Sequence, residues 1–147
     1  MIIIRIWHYE LLPYLPGLQF KGQLRELVII MHDWKNKGTT NHLLINKVME
    51  YDKSDLYSYF IIYYNAYKER YGKTIDNKIL REFEDFGGDR FTSHPFENWH
   101  NKEYLRVCVC NLYEKYRFGV GKSKISQEEW DRVLQGYYEI TGEQWEL

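Results

Sequence analysis

The sequence predicts an all-α fold, a compact helical globule of four to five helices. Apolar residues recur at spacings of three and four along several long stretches, and no stretch alternates apolar and polar residues as a half-buried strand does. A chain of 147 residues with 44% hydrophobic content can bury one core of ordinary size. We therefore expect residues 1–147 to form a single domain.

The first long helix is predicted from Leu18 to Trp34, after a short turn bracketed by Pro13 and Pro16. Gly38 is expected to end it, because glycine adopts the left-handed conformation that follows many helices. The apolar residues that define its buried face are Leu24, Leu27, Val28, Met31 and Trp34. A polar line at helical spacing follows another side of the same helix, formed by Gln19, Gln23 and Glu26.

The next stretch, residues 39–53, is predicted as a loop followed by a short helix. Ser54 is a suitable N-cap for a helix from Asp55 to about Tyr71, and Gly72 closes it. The apolar and aromatic residues of this segment line up on one helical face, which predicts that the helix packs in the core.

The second half of the chain contains up to three more helices. Residues 76–86 and 102–118 show helical spacing, and glycines follow both segments. Ser126 and Glu129 form a capping box, which opens a last helix that continues to about Ile140.

Charge is unevenly distributed along a chain whose formal net charge is only −1. Residues 102–124 contain six basic and two acidic side chains, whereas residues 126–147 contain six acidic side chains and only one basic one. The basic stretch could hold phosphate, or it could be an ordinary solvated surface; the counts alone favour neither explanation.

Several features limit where the protein works. The longest apolar runs fall far short of the roughly 20 residues that span a bilayer, and no signal peptide pattern is present, so we expect a cytoplasmic protein. Cys108 and Cys110 are too close in sequence for an ordinary disulfide and lack the second ligand pair of a zinc site. We predict that both are reduced thiols within a helix.

Common catalytic signatures are missing, including the phosphate-binding glycine loop, the nucleophile elbow and the His-Glu-x-x-His zinc helix. His94 and His100 beside Glu97 could bind a metal, but five scattered histidines more often have surface or supporting roles. We expect no metal and no cofactor.

Two short motifs resemble a known enzyme family. The stretch Gly22-Gln23-Leu24-Arg25-Glu26-Leu27 follows an Arg-Ile pair near the chain start by about twenty residues. It resembles the segment that holds the catalytic glutamate of pyrimidine-dimer DNA glycosylases of the phage endonuclease V type. A second stretch, residues 48–53 with Leu56, resembles that family's Tyr-Asp-Lys segment before a helix, and the opening residues 5–16 are similar to bacterial relatives.

The resemblance implies a specific chemistry. Enzymes of this family use the amino group of the first residue, here Met1 as written, to attack the deoxyribose C1′ and form a Schiff base, and then break the strand by β-elimination. An α-amino group suits this role because its pKa near 8 leaves an appreciable neutral fraction at physiological pH. Glu26 would be the acid/base and the electrostatic partner of the developing charge.

The resemblance also implies contacts to double-stranded damaged DNA. We expect the protein to be a monomer. Two arginines would hold phosphates, two glutamines would contact the opened duplex, and an aromatic or imidazole side chain would fill the gap left by an extruded nucleotide. These residues are, in that order, Arg25 and Arg5, Gln23 and Gln19, and Trp7, His8 or Tyr9. Surface charge and core packing are alternative explanations for the same residue types.

The sequence departs from the family pattern at three places. Ile29 stands where the family has an additional arginine, and Asn46 stands where it has a histidine. The family nucleophile lies directly before the Arg-Ile pair, whereas residues 1–4 precede Arg5 here. One hypothesis is that translation begins at the codon written as Ile4; mass spectrometry of the natural protein that found Ile2 and Ile3 would exclude it.

Two functions therefore stay open at the sequence level. The first is a lesion-specific DNA glycosylase with lyase activity, favoured by the Arg25-Glu26 pair and the flanking matches. The second is a DNA-binding or interaction module that kept the scaffold and lost the chemistry, favoured by the displaced amine and the near-neutral charge.

Overall fold

The computed structural model describes residues 5–38 and 43–147, and the fold it shows is all-α, as predicted. These residues contain no strand and form more helices than the four to five expected. The α-helices are α1 (Gly17–Lys37), α2 (Leu43–Met49), α3 (Lys53–Tyr71), α4 (Asn77–Gly87), α5 (Lys102–Phe118) and α6 (Gln127–Thr141). Two short 3-10 helices, Tyr9–Tyr14 and Gly121–Ser123, complete them.

Helix α1 forms where the periodicity predicts it. It begins one residue earlier and ends three residues later than predicted. It begins directly after Pro16 and ends at Gly38, which has φ of 72° and donates its N–H to the Asp33 carbonyl. The segment before it, expected to be only a turn, is the first 3-10 helix, with Pro13 inside it.

The cap of α3 differs from the prediction. Asp52, and not Ser54, is the N-cap, because its carboxylate accepts the Ser54 N–H at 2.9 Å. The helix consequently begins at Lys53, and Ser54 is buried inside its first turn. Part of the Tyr-Asp-Lys motif therefore has a structural role in opening α3, and Arg90 pairs with the Asp52 carboxylate at 3.3 Å.

The last three α-helices follow the predicted ranges closely. Helix α5 has the predicted bounds, and α6 opens with the predicted capping box, in which Ser126 and Glu129 bond reciprocally. Cys108 and Cys110 lie in α5 and are free thiols, as expected.

One core joins these elements. Helix α3 packs against α4 and the first 3-10 helix, and α6 packs against α5 and the same 3-10 helix. The contact with α6 is close, since a Cβ placed on Gly136 would lie 2.3 Å from Tyr14 Cγ. The largest fully buried side chains include Tyr59, Tyr63, Phe20, Phe60, Phe83 and Phe96.

No helix within the described residues has the length and apolar character needed to cross a membrane.

Candidate active site

The backbone of residues 5–7 is held against α1 by one glutamine. The Gln23 Nε2 donates to the Arg5 carbonyl at 2.8 Å, and Gln23 Oε1 accepts the Trp7 N–H at 2.9 Å. The same amide donates to a Glu26 carboxylate oxygen at 3.2 Å and accepts from the Tyr59 hydroxyl at 2.9 Å. Both donors and both acceptor positions of this fully buried side chain are thus in use.

Two tyrosines from other helices hold the same segment. The hydroxyl of Tyr59 in α3 shares its one proton between the Trp7 carbonyl, at 2.5 Å, and Gln23 Oε1. The hydroxyl of Tyr104 in α5 donates to the Ile6 carbonyl, also at 2.5 Å. The beginning of the described chain is therefore fixed by α1, α3 and α5 together. Such a network holds a backbone segment far more firmly than contact with solvent would.

The Glu26 side chain lies at the end of this segment. One of its carboxylate oxygens accepts the backbone N–H of Arg5 at 3.1 Å. Partial burial raises the pKa of Glu26 above its ordinary value, and the opposing effects are the Arg5 N–H and the charges of Arg5 and Arg25. A raised carboxyl pKa is a common feature of residues that take part in acid/base chemistry.

A cleft of about 380 Å³ opens beside this carboxylate. Helix α1 contributes one wall, on which Gln19, Gly22 and Glu26 follow one another at spacings of three and four residues. The opposite wall comes from α5. The complete lining consists of Arg5, Trp7, Leu18, Gln19, Gly22, Glu26, Asn111, Glu114 and Lys115.

The α5 wall is the part that sequence reasoning missed. Asn111, Glu114 and Lys115 are spaced as neighbours on one face of a helix, and Lys115 belongs to the basic stretch 102–124. The charge of that stretch was a usable signal. Nothing in the sequence indicated that α5 would face α1 across a cleft.

Four of the predicted site residues come together in this cleft. Arg5, Trp7, Gln19 and Glu26 all line it, and the Arg5 guanidinium lies 5.3 Å from the centre of the Trp7 ring. The side-chain oxygen of Gln19 is buried without a hydrogen-bond partner among the described residues. Met1 lies outside the described residues.

The other predicted site residues lie elsewhere. Gln23 is fully buried and engaged by the protein, so the structure gives it the role of positioning residues 5–7 and leaves no free surface for a DNA contact. His8 is 2% exposed and its ring stacks on both Tyr9 and His100, which likewise places it in the interior. Arg25 is exposed on α1 and does not line the cleft.

The histidines that the structure describes do not form a recognisable metal site. Burial lowers the pKa of His8 to about 4, and burial lowers the pKa of His100 well below its usual value, so both rings are neutral near pH 7. His94 bonds to the Tyr9 hydroxyl at 2.9 Å instead. No group of three or more potential metal ligands occurs among residues 5–38 and 43–147.

Comparison with known proteins identifies the family to which this chain belongs. A family model described as pyrimidine dimer DNA glycosylase matches residues 4–80, just over half of the chain. The chain belongs to this family. No curated protein and no solved structure matches the chain. The matched range contains Arg5, Trp7, α1 and α3, and it therefore contains the α1 wall but not the α5 wall. Family membership indicates a DNA repair glycosylase that binds DNA.

Proposed function

We propose that this protein is a pyrimidine-dimer glycosylase with abasic-site lyase activity, in which a terminal amine directly before Arg5 is the nucleophile and Glu26 is the acid/base. The observation that carries the proposal is the hydrogen bond of 3.1 Å between the Arg5 backbone nitrogen and the Glu26 carboxylate. A residue directly before Arg5 is covalently bound to that nitrogen, so its amine is only one residue away from Glu26. The family match begins at residue 4, which supports the same location for the nucleophile.

In the first half of the reaction, the terminal amine of the enzyme replaces the damaged base on C1′ of the sugar. The neutral amine attacks the sugar C1′, a new carbon–nitrogen bond forms, and the bond from C1′ to the base breaks. The departing base takes the bonding electrons and a proton. The amine loses its protons as the sugar ring opens, and the product is an imine between the chain terminus and C1′.

The second half breaks the strand. A base removes a proton from C2′, and the electrons of that bond expel the phosphate as the C3′–O bond breaks. Water then hydrolyses the imine and frees the enzyme. Glu26 is suited to the proton transfers because burial raises the pKa of its carboxyl toward the working pH. Its negative form also stabilises the positive charge that develops on the sugar.

The cleft provides the remaining functions. Arg5 supplies a cation beside the reacting centre, where a phosphate of the opened strand would bind. Gln19 supplies an amide whose oxygen has no protein partner among the described residues, so a small rotation would present it to an extruded nucleotide. We further propose that the protein acts as a monomer in the cytoplasm, needs no cofactor, and binds phosphates through the exposed Arg25.

Borohydride trapping tests the chemistry directly, because it reduces the imine to a stable covalent adduct. Two chains are compared on a duplex with one abasic site: the chain as written, and a chain in which methionine stands directly before Arg5. We expect the shorter chain to give the adduct in higher yield, and mass spectrometry to locate the adduct on its terminal residue. Acetylation of the terminal amine should abolish it.

Lys115 provides the matched control, since it is a side-chain amine that lines the same cleft. The Lys115→Gln chain should still be trapped. An adduct located on a lysine, or no adduct with either chain, would contradict the proposed nucleophile. DNA binding without any cleavage would instead favour a non-catalytic binding module.

A further inference from the structure

The end of α5 and the loop that follows it expose two apolar side chains. Phe118 is 74% exposed and Val120 is 79% exposed, whereas Ile125, a few residues later, is 2% exposed. Apolar side chains that are exposed together and rimmed by polar residues are typical of a surface that binds a partner. Phe118 is the most exposed aromatic side chain among the described large hydrophobic residues.

Hydrogen bonds hold this loop in its outward position. The Lys124 ammonium donates to the Tyr116 carbonyl at 3.2 Å, and the Ser123 hydroxyl donates to the Val120 carbonyl at 2.7 Å. The backbone N–H of Ile125 returns to the Lys115 carbonyl at 3.5 Å, so the buried Ile125 anchors the far end. The exposure of Phe118, at the end of α5, and of Val120, in the loop, is therefore a property of an ordered segment.

The same segment is strongly basic. Between residues 115 and 124 there are four basic side chains and no acidic one. They are Lys115, Arg117, Lys122 and Lys124. An apolar surface surrounded by cations is unsuited to an apolar protein partner and suited to a polyanion that also presents flat apolar faces. Duplex DNA with a disturbed base stack has both properties.

The loop also continues the active-site cleft. Asn111, Glu114 and Lys115 line the cleft, and residues 111, 114, 115 and 118 follow the spacing of one face of a helix. Phe118 therefore stands one turn beyond Lys115 on the face of α5 that borders the cleft.

We propose that residues 115–124, here called the basic loop, form a second DNA-contact surface, in which the cations bind phosphates and Phe118 stacks on a base beside the lesion. This proposal rests on the proposed function for the identity of the polyanion. The basic loop lies outside the range matched by the family, so it would adapt the shared cleft to the substrate of this particular chain.

Binding to a duplex that contains a tetrahydrofuran residue tests the loop without the chemistry, because this abasic-site analogue has no C1′ aldehyde and forms no imine. Phe118→Ala should weaken binding about fivefold or more, since base–aromatic stacking is worth at least about 1 kcal/mol. Phe91→Ala is the matched control, because Phe91 is 53% exposed and lies in a different loop. It should leave the affinity unchanged.

The charges are tested by the salt dependence of the same binding. The double variant Arg117→Gln/Lys122→Gln should lower the slope of log K against log salt concentration by about two, as expected for the loss of two phosphate contacts. Phe118→Ala should leave the slope unchanged. Lys73→Gln/Lys78→Gln removes two exposed lysines from another region and should change neither slope nor affinity.

The outcomes separate this proposal from the proposed function. Unchanged affinity and slope in both loop variants would overturn the role of the loop, even if borohydride trapping succeeded. Loss of affinity in the loop variants without any trapping would support the loop and contradict the chemistry. Self-association of the chain that disappears in Phe118→Ala would identify a second copy as the occupant and overturn the proposal.

Discussion

The two walls of the cleft are built in different ways. On the α1 wall, Glu26 bonds to the Arg5 N–H and to the buried Gln23, which in turn bonds to the backbone of residues 5–7; all of these residues lie in the family match. On the α5 wall, Glu114 is exposed and Lys115 is half-buried, and both lie outside the match.

The difference supports the proposal that the two walls have different functions. Chemistry that depends on a nitrogen and a carboxylate needs their relative position fixed within a fraction of an ångström, and buried hydrogen bonds achieve this. Phosphate binding tolerates looser geometry, because the attraction between charges acts over several ångströms. The α1 wall thus fits a catalytic role, and the α5 wall fits a binding role.

The largest effect should follow from Glu26→Gln. We expect cleavage of an abasic duplex to fall about 10²- to 10⁴-fold, the range typical for loss of a general acid/base. The fold should persist, because the amide oxygen can still accept the Arg5 N–H. The rate is measured by gel analysis of strand cleavage, with circular dichroism as the check on folding.

Glu114→Gln tests whether the walls really differ. It neutralises a carboxylate on the α5 wall, and we expect a far smaller change in cleavage rate, accompanied by slightly tighter DNA binding. Equal losses of rate in the two variants would remove the distinction between a catalytic and a binding wall.

Gln23→Leu should have the next largest effect, which is a loss of stability. It leaves the Trp7 N–H and the Arg5 carbonyl without their Gln23 partner, whereas the Tyr59 hydroxyl still donates to the Trp7 carbonyl. At about 1 to 3 kcal/mol for each of the two buried unsatisfied groups, we expect a loss of about 2 to 6 kcal/mol in the free energy of unfolding. Urea denaturation measures it.

The exposed Gln135 on α6 gives a matched control. Its amide bonds only to Glu139, at 3.2 Å, and Gln135→Leu should change the free energy of unfolding by no more than about 0.5 kcal/mol. Similar losses in both variants would show that the anchoring of residues 5–7 contributes little.

Much of the fold was readable from local signals. The bounds of α5 and the capping box of α6 follow from apolar spacing and from Ser126 with Glu129, and the structure agrees with both. The cap of α3 was assigned two residues too late, because Asp52 and Ser54 are both good cap residues and only the surrounding contacts decide between them. The first 3-10 helix was missed, since its prolines read equally well as a turn.

The site was less predictable than the fold. The spacing of Gln19, Gln23 and Glu26 placed them along α1. It did not show that the Gln23 amide forms all its hydrogen bonds within the protein, whereas Gln19 and Glu26 line a cleft. Fourteen tyrosines offered no way to single out Tyr59 and Tyr104 as the anchors of residues 5–7. Such contacts join residues that are distant in sequence, and periodicity contains no information about them.

His8 directly follows the anchored residues 5–7 and is also buried. Its burial should make the stability of the protein depend on pH. Burial lowers the pKa of His8 to about 4, and the pKa of His100 shifts in the same direction, so the unfolded chain binds more protons below pH 6.5. Stability should therefore fall as the pH is lowered from 6.5 toward 4, by roughly 3 kcal/mol for His8 alone. The raised pKa of Glu26 acts in the opposite sense, because its contribution to stability is lost as the pH rises.

Urea denaturation at several pH values between 7 and 4 measures this loss. His8→Gln should have a flatter dependence of the free energy of unfolding on pH than the unaltered chain. The same steepness in both chains would show that His8 takes up its proton without leaving its buried position.

The smallest effect concerns Gly22, which lines the cleft on the α1 wall. A Cβ built on this residue meets nothing within 4 Å, so a side chain there extends into open space. Gly22→Ala should raise the free energy of unfolding by about 0.5 to 1 kcal/mol, because glycine inside a helix costs backbone entropy. Gly22→Leu should keep the fold stable and yet lower the cleavage rate, because the larger side chain occupies the cleft beside Glu26. Stability is followed by thermal denaturation and cleavage by gel analysis; a Gly22→Leu chain as active as Gly22→Ala would mean that the nucleotide does not enter between the two walls.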